Sequence, residues 1–245
     1  MQITIENLSK VHNDGTQALS NVNLVIEDGL FGLLGPNASG KTSLIRILAT
    51  LSKPTAGKVT IDGKDLKRNR AAFRSMSGYL PQKFSTFTNL TTWEFLDYSA
   101  RLAGLNDKIS RKKEVDAMLE SLGLYEVRNH KANKLSIVMK RHLEIAQAVI
   151  GNPKILLVDE PTVGLSPEER IRFKKLLAER IEKINIIILS THILSDISST
   201  CNAAALLDKG EVVYHGPPDR ISEKIKGREW VIGGSNSASD AITSA

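Results

Sequence analysis

The sequence predicts an α/β fold: a core of buried parallel strands, an antiparallel β layer beside it and a helical subdomain inserted into the chain. Three observations predict it. A strand-like run, Leu30-Phe31-Gly32-Leu33-Leu34, leads through a Gly-rich turn to Leu44, Ile45, Ile47, Leu48 and Leu51 at helical spacing. Two apolar runs with β-branched members, Ile155-Leu156-Leu157-Val158 and Ile186-Ile187-Ile188-Leu189, suit strands covered on both faces. Between them and the first core strand, the pattern switches to a helical period over several dozen residues.

In chain order, Ile3 and Ile5 alternate with polar neighbours, as do Val22, Leu24 and Ile26. Val59 and Ile61 lead into an Asp62-Gly63 turn, and together these read as the antiparallel layer. From Leu90 onward Trp93, Leu96 and Ala100 share one helical side. Val115, Met118, Leu119 and Leu122 follow at three- and four-residue steps before Gly123. This block, 84–142, is the expected helical subdomain within a core of 1–83 and 143–232, so that 1–232 makes a single domain. Its Arg111-Lys112-Lys113 cluster reads as a solvated helix face. A helix over 143–149 should end before Gly151-Asn152-Pro153. Residues 168–184 repeat Phe173, Leu176, Leu177, Ile181 and Ile184 on one face between the two buried strands, a βαβ unit. Leu206-Leu207 and Val212-Val213-Tyr214 flank Asp208-Lys209-Gly210 as a closing hairpin. The last stretch, 233–245, is rich in Ser, Ala and Gly and reads as a flexible tail.

Length and composition narrow the function classes. A chain of 245 residues can bury one large core or a core with a nested subdomain, and two independent enzyme domains do not fit. The net charge of +6 suits nucleotides, anionic lipid surfaces or nucleic acid and does not choose among them. An aromatic content of 5% is a poor supply for a base-stacking surface, so no nucleic-acid partner is expected. One cysteine, Cys201, excludes an internal disulfide framework. With neither a signal peptide nor a long apolar run, a cytosolic chain is expected whose membrane role comes through a partner.

The chemistry is concentrated after the first core strand. Gly35-Pro36-Asn37-Ala38-Ser39-Gly40-Lys41-Thr42-Ser43 fills the phosphate-loop template G-x-x-x-x-G-K-[ST] in the strand, turn, helix setting it requires. Glycines let backbone N–H groups turn inward, and the free N–H groups at the helix start add a partial positive field. Lys41 is placed to reach the β- and γ-phosphates, and the Thr42 hydroxyl to hold Mg²⁺. Asp159-Glu160 follows a buried strand and should emerge on the same sheet edge, Asp159 to bind Mg²⁺ through water and Glu160 to orient or deprotonate an attacking water. A solvated strand-end acid is the plainer reading of either carboxylate. His192, after the second buried strand, can touch a γ-phosphate or simply cap the strand. Gln82, after a strand-like segment, can accept from a water on the metal.

Taken together, these motifs resemble the nucleotide-binding subunit of an ATP-binding cassette (ABC) transporter, most closely the ABC-2 type exporters of bacteria and archaea. The resemblance covers about residues 2–218. It identifies the phosphate loop with the family's Walker A segment, Tyr79-Leu80-Pro81-Gln82 with its Q-loop, and Asp159-Glu160 with its Walker B acid and catalytic glutamate. Ser190-Thr191-His192 corresponds to the switch histidine. It implies a P-loop NTPase core of ABC type, ATP and Mg²⁺ as ligands, ATP hydrolysis and a second cassette as homo- or heterodimer partner. A separate multi-span membrane permease at the cytoplasmic face is implied as well. His12 falls where the family stacks an aromatic on adenine, and Ser136 is the serine of the family signature that Leu135 begins, which caps the nucleotide of the opposite subunit. Two departures stand out. Ile137 and Val138 replace the signature's two glycines, and Ser166 replaces the usual D-loop aspartate. The half-site built on this chain's own loop therefore looks competent, and the half lent to the partner looks weakened. A regulatory ATP-binding protein with little turnover is the alternative. Kinase and GTPase readings lack support, the latter because no [NT]-K-x-D segment is present.

Overall fold

The structure is a computed structural model and describes residues 1–82, 89–161, 168, 170, 171, 184–198 and 200–221. The expected 168–184 helix, the D-loop segment with Ser166 and the 233–245 tail lie wholly or mostly outside the described residues.

Two sheets form. Strands β1 (Gln2–Val11), β2 (Gln17–Glu27), β4 (Ala56–Ile61) and β5 (Lys64–Asp65) make the antiparallel layer in the order β2-β1-β4-β5. Strands β3 (Gly29–Leu34), β6 (Ser77–Leu80), β7 (Ile155–Asp159), β8 (Ile186–Thr191), β9 (Ala203–Asp208) and β10 (Glu211–Gly216) make the other, in the order β10-β9-β3-β8-β7-β6. Within it β6, β7, β8, β3 and β9 run parallel and only β10 is antiparallel.

Strand periodicity divides the core. Ile155, Leu157, Ile186 and Ile188 point to the side shared with the antiparallel layer and with Leu44, Ile45 and Ile47 of helix α1 (Lys41–Leu48). Leu156, Val158, Ile187 and Leu189 point to the opposite side. There they pack with helices α3 (Thr92–Leu102), α4 (Lys108–Ser121) and α5 (Ile137–Val149). Both faces of β7 and β8 are thus covered, which is why their sequences are unbroken apolar runs.

Some expectations shift. Helix α1 stops at Leu48, because Thr50 takes a left-handed φ of 60°, and Leu51 beyond it is 56% exposed instead of continuing the apolar face. The helix expected over 143–149 begins at Ile137, capped by the Ser136 hydroxyl, which accepts from Met139 N at 3.2 Å. A helix α2 (Arg70–Met76) buries only Phe73 and leaves no apolar stripe to read. A short α6 (Leu194–Ser198) follows β8. Arg111 is not on a solvated face: it is buried and donates through Nε to Asp97 Oδ1 at 2.7 Å, while its Nη1 donates to the carbonyls of Leu105 and Asn106.

Candidate nucleotide site

Register builds the site. Parallel pairing aligns Leu34 with Thr191 and Asp159 with Ser190. The loop after β3 and the polar ends of β7 and β8 therefore meet at one carboxyl edge, where ligands of open α/β sheets collect.

The loop is closely held. Gly40 has φ 106°, and a Cβ there would lie 2.4 Å from Ala18 O, so the position admits neither a side chain nor an ordinary backbone. Ala38 also takes a positive φ, 63°, while Ser39 is buried with its Oγ lacking a hydrogen-bond partner among the described residues. Asn37, in the turn at the loop's crest, is exposed. Gly35 N donates to Thr191 O at 3.3 Å, fastening the start of the loop to β8.

Lys41 is the centre of the cluster. Its buried ammonium donates to Gly35 O at 2.7 Å and Pro36 O at 2.8 Å, and it pairs with Glu160 Oε1 at 3.1 Å. Two carbonyls and a carboxylate compensate a charge that burial alone would make costly. The other oxygen of Glu160, Oε2, accepts from Gln82 Nε2 at 3.1 Å and lies 3.7 Å from His192 Nδ1. Glu160 itself has φ 45°, a conformation costing about 1–3 kcal/mol in a non-glycine residue. Its N–H is held by Ser190 Oγ at 2.9 Å and Ser190 O at 3.2 Å.

Asp159 accepts from Ser190 Oγ at 2.7 Å and Thr42 Oγ1 at 3.2 Å, both through Oδ1. Its Oδ2 is buried without a hydrogen-bond partner among the described residues. Burial pushes the Asp159 carboxyl above the ordinary aspartate range. The two hydroxyl bonds and Lys41 pull it back, and the Glu160 charge adds to the rise. The neighbouring Tyr79 phenol is pushed up to about 12, by burial first and by the Asp159 charge second. An orphaned carboxylate oxygen beside a threonine hydroxyl fits Mg²⁺, a hard cation that takes few protein ligands and completes its shell with water and phosphate oxygens.

His12 sits just past β1, exposed, with Nε2 3.2 Å from the Ser43 hydroxyl, and so flanks the start of α1. Ser136 is not joined to the loop by any hydrogen bond among the described residues; its hydroxyl caps α5. Ser190 was the residue missed by motif reading. A small hydroxyl residue aligned with an acidic strand end is its only signal, and that alignment needs the register.

A family model described as ABC transporter matches residues 19–163. The probable multidrug ABC transporter ATP-binding protein YbhF of Escherichia coli (strain K12) is 36% identical over 201 residues, 82% of this chain and 34% of that protein. The methionine import ATP-binding protein MetN 3 of Shouchella clausii (strain KSM-K16) is 37% identical over 224 residues, 89% of this chain and 65% of that protein. The chain thus spans about a third of the first relative's length and just under two thirds of the second's. A solved ATP-binding cassette, in a dimeric post-hydrolysis state bound to ADP and Pi, is 27% identical with a TM-score of 0.78, over 88% of this chain and 98% of that one. An importer by name stands beside a multidrug transporter, so the likeness carries no single direction of transport. The family model alone covers more than half of the sequence, and the chain therefore belongs to the ABC transporter family, as an ATP-binding subunit of the ABC ATPase class.

Proposed function

We propose that this chain binds and hydrolyses ATP as one of a pair of cassettes at the cytoplasmic face of a membrane, driving export by a separate multi-span permease. The observation that carries the reading is the meeting of Lys41 with Glu160 at 3.1 Å beside the Thr42, Asp159 and Ser190 chain. Lys41 exchanges its carbonyl and carboxylate contacts for β- and γ-phosphate oxygens, and the amides of Asn37, Ala38, Ser39, Gly40, Thr42 and Ser43 line the phosphates. Thr42 and Asp159 would hold Mg²⁺, and Gln82 would accept a hydrogen bond from its water shell. Bound there, Mg²⁺ supplies charge neutralisation on the phosphates. Glu160, released from Lys41, accepts a proton from water directed at the γ-phosphorus, and His192 contacts the same phosphate. His12 stacks on adenine, while Ser136 donates to nucleotide held by the partner cassette. Export is favoured by the likeness to ABC-2 type sequences.

Calorimetric titration with ADP and ATP tests the site. Lys41→Ala should lose about 1.5–3 kcal/mol of binding, the worth of a charge-assisted contact. Glu160→Gln should keep ATP binding and cut turnover about 100-fold or more. Unchanged affinity in Lys41→Ala would overturn the assignment.

A slow, ATP-controlled clamp is the second reading. It is favoured by one observation: Ile137, in place of the signature's first glycine, is 77% exposed at the head of α5, where a partner's nucleotide would be capped.

A further inference from the structure

The turn between β9 and β10 reaches the phosphate loop from the opposite side of the sheet seam. Asp208 and Glu211 pair across it, and Lys209 and Gly210 have φ of 47° and 85°, as a two-residue type I′ turn requires. Gly210 N donates to Ser39 O at 3.0 Å, and Gly210 O accepts from Ser20 N at 2.9 Å. One glycine residue thus ties the loop to β2, a strand of the other sheet. There is no room beside it: a Cβ on Gly210 would lie 2.9 Å from Ala18 O, the same carbonyl that crowds Gly40.

The hydrogen bond fixes more than position. No peptide bond among the described residues is cis, and in a trans peptide C=O and N–H point opposite ways. Holding Ser39 O on Gly210 therefore turns the Gly40 N–H away from the hairpin, toward the side on which an anion is received. With that anchor lost, the Ser39–Gly40 peptide is free to turn its carbonyl toward the phosphates, setting a partial negative charge against an anion.

We infer that Gly210 is a positioning residue for nucleotide binding, acting through the Ser39–Gly40 peptide and never touching nucleotide itself. The inference rests on the reading of 35–43 as the nucleotide site. Gly63 supplies a matched control. It is the second residue of another two-residue hairpin turn, after Asp62 at φ 47°, with φ 75° of its own, but a Cβ there meets nothing within 4 Å. Gly63→Ala and Gly210→Ala share the left-handed strain, so Gly63→Ala sets the fall in Tm that strain alone causes, and Gly210→Ala should fall further through its collision with Ala18 O. Only Gly210→Ala should weaken ADP affinity, by about tenfold, the loss of one well-placed hydrogen bond. If Gly210→Ala does not fold, Gly210→Asn, which tolerates the left-handed region, keeps the collision with less backbone strain. Titration calorimetry of wild type, Gly210→Ala, Gly210→Asn, Gly63→Ala and Lys41→Ala with ADP separates the outcomes. Selective loss in the Gly210 variants supports the inference. Wild-type affinity in them while Lys41→Ala loses binding overturns it and leaves the site assignment standing. Equal loss in Gly63→Ala also overturns it, and wild-type affinity in Lys41→Ala removes the site assignment and the inference together.

Discussion

Among the described residues, Asp159 and Glu144 are the two carboxylates that burial pushes above their ordinary range, and they are compensated differently. Asp159 keeps an unpartnered oxygen aimed where a cation fits, whereas Glu144 spends its charge on Arg141, one turn earlier on α5. For Glu144 desolvation still outweighs Arg141, so the folded chain holds that proton to higher pH than the unfolded chain does. Its contribution to stability is therefore full below the ordinary glutamate value and is lost as pH rises through the raised one. Glu144→Gln should accordingly gain on wild type between pH 4 and 7. Thermal unfolding at the two pH values checks this, and a Tm difference independent of pH would contradict it. Arg111 carries the same lesson about burial. Flanked by Lys112 and Lys113 in sequence it looks solvated, yet Asp97, fourteen residues away on α3, draws it inside.

At the scale of elements, α5 carries the feature that sets this chain apart. Its N-cap, Ser136, lies in the signature segment, and Ile137 and Val138 are its first two helical residues. Ile137 is 77% exposed, so it does not pack the start of the helix within the chain, whereas Val138 is half-buried. A β-branched residue resists left-handed backbone and adds bulk where the partner's phosphates would approach. Restoring Ile137→Gly and Val138→Gly should cost helix stability, about 0.5–1 kcal/mol per position. It should nonetheless raise steady-state turnover of the paired protein several-fold, since one recovered transition-state hydrogen bond is worth about tenfold. A glycine-restored variant that folds and pairs but hydrolyses ATP no faster would make the replacements tolerated packing changes. The opposing effects on Tm and rate separate a functional segment from a merely structural one.

At the scale of the whole molecule, the parallel sheet and the helices on its far side enclose a groove of about 600 Å³, lined among others by Tyr79, Pro81, Phe95, Tyr98, Leu102 and Gln147. Pro81 of its lining directly precedes Gln82, which bonds Glu160, so a partner seated there would lie one residue from a side chain of the nucleotide site. The stretch 83–88, next in sequence, lies outside the described residues. No helix among the described residues is long and apolar enough to cross a membrane. Leu102, 72% exposed on this groove, gives the test. Leu102→Asp should release the protein from the membrane fraction of cells expressing its permease while leaving ADP affinity unchanged. Retention of the variant in that fraction would place the contact elsewhere.

Local signals were legible in the sequence by itself. The phosphate loop, the two buried strands, the hairpin turns at Asp62-Gly63 and Lys209-Gly210 and the acidic strand end at Asp159-Glu160 each lie within a few consecutive residues, where backbone sterics and side-chain period act directly. What lay beyond reach was pairing across the chain. Lys41 meets Glu160, Ser190 bridges Asp159 to the Glu160 amide, and Gly210 holds Ser39 only because strand order and register bring those ends together. Helix α2 was hidden for the converse reason: it buries a single apolar side chain, so its periodicity is too weak to register. Sequence determined which groups could do the chemistry. Tertiary structure decided which of them touch, because hydrogen bonds and ion pairs act over about 3 Å and only the folded sheet closes distances of that size.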